Sequence, residues 1–248
     1  MSFSGEANPA DIHLWVIDLD GPEAQAAINR NLLSADETSR AAKMLREIVH
    51  RRFVAARSVL RDLAGQYYDE PAAGLVFRYL EKGKPVFDPP AGQSHSKIEF
   101  NLSHSDRFAL LGFSRCGPIG VDIEQHNDRV NVDAIAANYL SIIEHEQLIR
   151  FPDTQRRQLF FRAWVLKEAF MKCTGLGFSL PLDHFSIDLL DDQRPRLLEL
   201  NKHYAAFDSC QFGHVQAPPG FSGAWAVLAA DAEKTEFSVR YFDYRDRD

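Results

Sequence analysis

The sequence predicts an α+β fold built by pseudo-twofold duplication, with two similar subdomains that are each a small antiparallel sheet packed with a long helix. Three echoes, in the same order in both halves, carry this expectation. Leu33-Ser34-x-x-Glu37 returns as Leu140-Ser141-x-x-Glu144, and Val59-Leu60-Arg61-Asp62 returns in character as Val165-Leu166-Lys167-Glu168 at nearly the same offset. Further on, Ser105-x-x-Phe108-Ala109-Leu110-Leu111-Gly112 is matched by Ser222-x-x-Trp225-Ala226-Val227-Leu228-Ala229, and both read as strands.

In chain order, the first long helical pattern contains Val59 to Asp62 and is expected to close at Gly65. Lys82-Gly83-Lys84-Pro85 and Asp88-Pro89-Pro90-Ala91-Gly92 read as turns, and Phe100 to Ser105 follows as a strand. The joint between halves is expected near Arg115-Cys116-Gly117-Pro118, which gives subdomains 1–117 and 118–248. Ile119 to Glu124 alternates apolar and polar residues as a strand does, burying Val121 and Ile123 and turning Asp122 and Glu124 to the other face. A helix over Phe160 to Lys172 carries Phe161, Val165, Leu166, Ala169, Phe170 and Cys173 as its apolar stripe and closes at Gly175 and Gly177. Gln216 to Gly220 is a further turn. Paired halves leave a cleft, so the active site is expected at their seam.

Composition narrows the class. At 248 residues, 45% hydrophobic and 25% charged, the chain can bury a sizeable core. It has no apolar run near the ~20 residues of a membrane span, and Met1 to Ala10 lack the regions of a signal peptide, so a cytoplasmic protein without a membrane partner is expected. Cys116, Cys173 and Cys210 are an odd number with no CxxC spacing, which suggests neither a disulfide framework nor a zinc site. A net charge of -7 argues against a nucleic-acid binder. One segment runs against that trend: Arg40, Lys43, Arg46, Arg51, Arg52, Arg57 and Arg61 face only Glu47, a patch suited either to a small polyanion or to a solvated helix surface.

Several residues carry candidate chemistry. Asp122 and Glu124, two apart on a strand, stand about 7 Å from each other. Such carboxylates repel unless a cation lies between them, and hard oxygen donors suit magnesium; the plain alternative is an exposed acidic strand. Glu168 and Lys172 share a helix face and read equally as a surface ion pair. His104, between Ser103 and Ser105, can donate to a phosphate oxygen or serve only the fold.

Taken together, Gly83-Lys84-Pro85, Phe100-Asn101-Leu102-Ser103-His104-Ser105, Gly120-Val121-Asp122-Ile123-Glu124 and Trp164-Val165-Leu166-Lys167-Glu168-Ala169-Phe170-Met171-Lys172 resemble the successive motifs of the Sfp-type 4′-phosphopantetheinyl transferases. The resemblance covers nearly the whole chain. It implies a magnesium-dependent enzyme that moves the phosphopantetheine arm of coenzyme A to a serine of an apo acyl or peptidyl carrier protein and releases 3′,5′-ADP. Asp122, Glu124 and Glu168 then hold the metal. Ser103, His104, Lys84, Arg40 and Arg52 bind the coenzyme A phosphates together with Lys167 and Lys172, and Glu168 and Lys172 are the catalytic pair. A duplicated chain of this kind implies a monomer. Glu37 departs from the resemblance, standing where relatives often carry a lysine for the 3′-phosphate, and Asp106 and His126 replace the commoner glycine and threonine. Among charged residues, Tyr139, Leu140, Ile142, Ile143, Leu148 and Phe151 offer either a docking stripe for the carrier or ordinary core. Two other classes stay open: an idle binding module that kept the fold, and a different magnesium-dependent phosphate enzyme such as a phosphodiesterase.

Overall fold

A computed structural model describes residues 11–28, 31–89, 98–191, 193–229 and 237–246. The expected turn at 88–92 lies partly, and Met1 to Ala10 wholly, outside the described residues. In order, the elements are β1 (Asp11–Asp18), α1 (Pro22–Ile28), α2 (Ala35–Ala42), α3 (Glu47–Tyr68), β2 (Phe77–Tyr79), β3 (Pro85–Phe87), β4 (Glu99–Ser105) and β5 (Phe108–Ser114). There follow β6 (Ile119–Gln125), α4 (Val132–Tyr139), α5 (Ile142–Ile149), α6 (Asp153–Thr174), β7 (Phe185–Ile187), β8 (Leu197–Leu200), β9 (Cys210–Val215), β10 (Phe221–Leu228) and β11 (Ser238–Asp243). The result is a mixed α+β fold. Contacts divide it into two compact units, Met1–Arg115 with Phe237–Asp248, and Cys116–Glu236.

In the first unit the sheet order is β11-β1-β5-β4. β1 and β5 are antiparallel and so are β5 and β4, but β11 adds to β1 in parallel, so the closing strand of the chain joins this unit and the sheet is mixed. Its core joins Trp15, Ile17 and Leu19 of the β1 region to Ala56, Val59, Leu60 and Leu63 of α3 and to Phe100, Leu111 and Phe113. Trp15 Nε1 donates to the Tyr67 hydroxyl at 2.9 Å, so the one polar atom of a buried indole is satisfied inside the core. Gly65 does not end α3. The helix runs on to Tyr68 and is capped by Asp69 in the left-handed region at φ 55°. A Cβ at Gly65 would stand 2.8 Å from the Glu70 carbonyl oxygen, so the glycine permits a close chain approach inside the helix.

In the second unit the order is β6-β10-β9, all antiparallel, with β7 and β8 as a separate antiparallel pair. Val165, Leu166, Ala169, Phe170 and Cys173 of α6 pack with Phe212, Ala224 and Ala226 of this sheet, as the apolar stripe read from the sequence requires. Gly175, at φ 71°, ends α6 in the left-handed cap that glycine adopts without strain.

One device occurs in both units. Ser34 and Ser141 each open a short helix with a full capping box, in which the serine hydroxyl accepts from the N3 backbone and the N3 glutamate accepts from the serine N–H. Both glutamates are buried and take a cation from the long helix: Glu37 from Arg61 Nε at 2.5 Å and Glu144 from Lys167 Nζ at 2.5 Å. The helices α3 and α6 are 22 residues each. Of the third echo, Phe108 to Gly112 and Trp225 to Leu228 lie in strands, but Ser105 ends β4 whereas Ser222 lies inside β10.

Candidate active site

The site is set by a glycine. A Cβ at Gly120 would come within 2.0 Å of the Ala169 carbonyl oxygen and 2.3 Å of the Cys173 nitrogen, so β6 and α6 meet backbone to backbone there. Strand residues two apart share a face, so Asp122 and Glu124 follow Gly120 on the side turned to α6. Ile119 to Ile123 are all buried, and Asp122 is only 2% exposed, so this acid is interior and not part of an exposed strand.

From α6, Lys172 Nζ donates to Asp122 Oδ1 at 2.6 Å. Glu168, one helical turn before Lys172, has its carboxyl pushed up to about 6, chiefly by burial; Lys172 pulls it down, while the charges of Asp122 and Glu124 push it further up. The three acids called from the sequence are therefore electrostatic neighbours, with Lys172 as the cation among them. Sequence reading set Lys172 beside Glu168, whose carboxyl it does pull down, and the structure adds a hydrogen bond from Lys172 to Asp122. Among the described residues no group of three His, Cys, Asp or Glu side chains stands close enough to hold a metal ion.

Beyond Glu124, His126 stacks on Phe161 with centroids 4.9 Å apart, and its Nε2 lies 2.8 Å from the Ser222 hydroxyl. Ser222 is the residue opposite Glu124 in the β6–β10 register. Burial and, to a lesser degree, Arg157 lower the His126 pKa, so the neutral ring is favoured.

Lys167 is the clear correction. The resemblance made it a phosphate ligand, but its side chain is fully buried, bonded to Glu144 and to the Phe185 carbonyl at 2.8 Å, and lies 4.1 Å above the Phe185 ring. All its donors point into the core of the second unit. Glu37 is the matching case in the first unit: at 2% exposure, bonded by both Arg57 (2.9 Å) and Arg61, it is an interior counter-ion and offers no surface position for a phosphate contact. Sequence reading named Glu144 only in the echo between halves and missed its pairing with Lys167, 23 residues away in the chain.

The remaining phosphate candidates belong to the first unit. Ser103 is buried and His104 exposed, as neighbours on β4 must be when one face is covered. Lys84 sits in the β2–β3 hairpin, whose turn is closed by Leu80 N–H to the Lys84 carbonyl at 2.9 Å with Gly83 at φ 85°. Arg40 is exposed, with its guanidinium 5.5 Å from the Tyr79 ring and 5.7 Å from the Phe53 ring. Arg52 is already held by Asp20 at 2.7 Å and Asp106 at 2.6 Å, which raise its pKa further. With Arg51 on Asp20, and Arg57 and Arg61 on Glu37, the basic stretch is partly neutralised by the fold. Arg40, Lys43 and Arg46 are its exposed cations with no ion pair among the described residues.

The carrier stripe divides. Leu140 and Leu148 are buried, whereas Ile142 is 80% and Tyr139 48% exposed, and Ile149, not singled out from the sequence, is 51% exposed. No helix among the described residues is long and apolar enough to cross a membrane.

Known proteins match along the same lines. The profile of the 4′-phosphopantetheinyl transferase superfamily matches residues 118–226, and that of the 4′-phosphopantetheinyl transferase N-terminal region matches residues 22–115. The 4′-phosphopantetheinyl transferase HetI of Nostoc sp. is 34% identical over 187 residues, 75% of this chain and 78% of the relative. The Bacillus subtilis transferases ffp and Sfp are 29% and 27% identical, covering 92% and 90% of this chain and 97% and 94% of theirs. The Gly120 approach and the acids it brings to α6 fall inside the first match, and the chain belongs to the 4′-phosphopantetheinyl transferase superfamily.

Proposed function

We propose that this protein transfers the 4′-phosphopantetheine group of coenzyme A to a serine of an apo acyl or peptidyl carrier protein, giving the holo carrier and 3′,5′-ADP. The observation that carries this reading is the meeting of Asp122, Glu124, Glu168 and Lys172 where β6 lies against α6. Family membership and the relatives' names support it. An idle binding module would have no reason to keep a buried aspartate, 2% exposed, beside a carboxyl that is destabilised in its charged form.

Three hard carboxylates are donors of the kind magnesium takes, although among the described residues they are not arranged closely enough to close around an ion. Three carboxylates raise each other's energy, as Glu168 registers, and a hard divalent cation relieves that repulsion. Asp122, Glu124 and Glu168 would hold it, and when bound it neutralises the pyrophosphate and so improves the leaving group. The rest falls to the chain's own residues. Glu168, or a water that it orients, takes the proton of the attacking serine hydroxyl, whose oxygen bonds to the β-phosphorus as the bond to 3′,5′-ADP breaks. The Lys172 ammonium stabilises the departing oxygen. Arg40, Lys84, Ser103 and His104 are the proposed phosphate contacts. Arg52 joins them with a guanidinium whose charge is shared with two aspartates.

The capping boxes, equal long helices and buried Glu37–Arg61 and Glu144–Lys167 pairs support descent of the two units from one ancestral half. We further propose a cytoplasmic monomer that uses the exposed Tyr139, Ile142 and Ile149 region to meet its carrier. Asp122→Ala and Glu168→Gln are expected to abolish transfer, with circular dichroism unchanged. A variant that keeps more than a tenth of the rate, a barrier change below ~1.4 kcal/mol, removes the metal assignment.

A further inference from the structure

In the first unit, α2, α3 and β2 bring three guanidinium groups together around one carboxylate. Glu37 is buried and accepts from Arg57 at 2.9 Å and from Arg61 at 2.5 Å. Arg40, three residues after Glu37 on α2, has no ion pair among the described residues. Its guanidinium lies instead over two rings, 5.5 Å from the centre of Tyr79 and 5.7 Å from that of Phe53. Three cations against one carboxylate leave two positive charges in excess, which a phosphate monoester, close to doubly charged near neutral pH, can balance. The one monoester in coenzyme A is its 3′-phosphate.

Tyr79 links the cations. Its hydroxyl accepts from Arg57 Nη2, and its ring stands 5.9 Å from the same guanidinium. Two residues earlier on β2, Phe77 lies 5.1 Å from the Arg61 guanidinium, so α3 holds this face of the strand at two points. Contacts therefore run in series: Glu37 fixes Arg57, Arg57 fixes the Tyr79 hydroxyl, and the Tyr79 ring seats Arg40. A stacked guanidinium spends its flat face on the ring and keeps the donors at its edge for a planar, two-pronged grip on phosphate.

Resting on the coenzyme A reading above, we propose that Tyr79 is a positioning residue that seats Arg40 for the 3′-phosphate, and so sets the preference for coenzyme A over dephospho-coenzyme A. Ordering Arg40 before the ligand arrives removes part of the entropy cost of binding.

Titration calorimetry without a carrier compares the two coenzymes. Wild type is expected to bind coenzyme A about tenfold more tightly than dephospho-coenzyme A. Tyr79→Leu should weaken coenzyme A about fivefold and leave dephospho-coenzyme A unchanged, with Tyr79→Phe, which keeps the ring, falling between. Added to Arg40→Ala, Tyr79→Leu should weaken binding no further, because the tyrosine acts through the arginine. In transfer assays the KM for coenzyme A rises in Tyr79→Leu and kcat is kept, a split that a general loss of fold does not produce. Unchanged coenzyme A affinity in Tyr79→Leu, an equal loss for both coenzymes, or losses that multiply in the double variant overturn the proposal. Wild type that transfers to a carrier yet does not distinguish the two coenzymes sinks the Tyr79 assignment alone. Wild type that neither binds coenzyme A nor transfers sinks the coenzyme A reading beneath it.

Discussion

Asp122 shows how a single residue is made ready for chemistry. It lies in the interior at 2% exposure, and Lys172 at 2.6 Å supplies the countercharge that a buried carboxylate requires. Glu168 lacks a hydrogen-bonded ion pair of this kind among the described residues, and its position shows in its titration. Its carboxyl titrates near 4.5 in the unfolded chain and at about 6 in the fold, so the folded protein holds that proton more tightly between these values. Glu168 therefore favours the fold at acid pH, and this contribution is lost as the pH rises from the lower value through the higher one. Glu168→Gln, which stays neutral, is expected to melt higher than wild type at pH 7.5 in the absence of divalent ions, with the advantage gone at pH 4. A difference independent of pH in thermal melts would contradict the assigned environment. Strand alternation put Asp122 and Glu124 on one face and the family motifs singled out Glu168, and the structure makes the three electrostatic neighbours. The lysine roles were not legible in the sequence, because no local pattern tells a buried ammonium from a solvated one: Lys167 and Lys172 both look like ordinary helix residues until their partners are known.

At the level of elements, the β6–α6 contact is the feature on which the site depends. Gly120→Ala places a methyl within 2.0 Å of a helix carbonyl oxygen, which no rotamer can relieve. The variant is expected to lose on the order of 3 kcal/mol in urea unfolding and to lose transfer with it, since the acids ride on the same strand. A mild, sub-kcal/mol effect would mean that the strand can shift freely. The capping boxes make a second prediction. Glu37→Ala leaves Arg57 and Arg61 buried beside no carboxylate and should cost about 3–5 kcal/mol by the same measurement, well beyond the ~1 kcal/mol of an ordinary cap. The capping sequence itself was readable as Ser-x-x-Glu, and it drew attention to the echo between halves. Its inward ion pairs were not readable, since they join residues 24 and 23 positions apart that only helix packing brings together. Likewise Gly65 reads as a helix stop because glycine usually is one. Asp69 ends α3 instead, aspartate being among the few residues that tolerate the left-handed cap.

Across the whole molecule, the α+β character and the main strands and long helices followed from periodicity and turn residues, whereas the short elements between them did not. Nor did the path of the last strand. β11 adds to β1 in parallel, a long-range pairing with no local signature, and near it the Tyr244 hydroxyl donates to Asp62 at 2.5 Å. A chain shortened to end at residue 236 is expected to expose the β1 edge, leave Asp62 without Tyr244 and unfold at lower urea; an unchanged midpoint would show that the closing strand is dispensable. The surface of the second unit, with Ile142 and Tyr139 exposed, is where carrier choice should be read by substitution. The central claim is the transfer reaction itself. Intact-protein mass spectrometry of an apo peptidyl carrier domain, incubated with this protein, coenzyme A and magnesium beside a chelator control, tests it most directly. The account predicts a gain of one phosphopantetheine that the chelator abolishes; no gain on acyl or peptidyl carriers of several classes would contradict it.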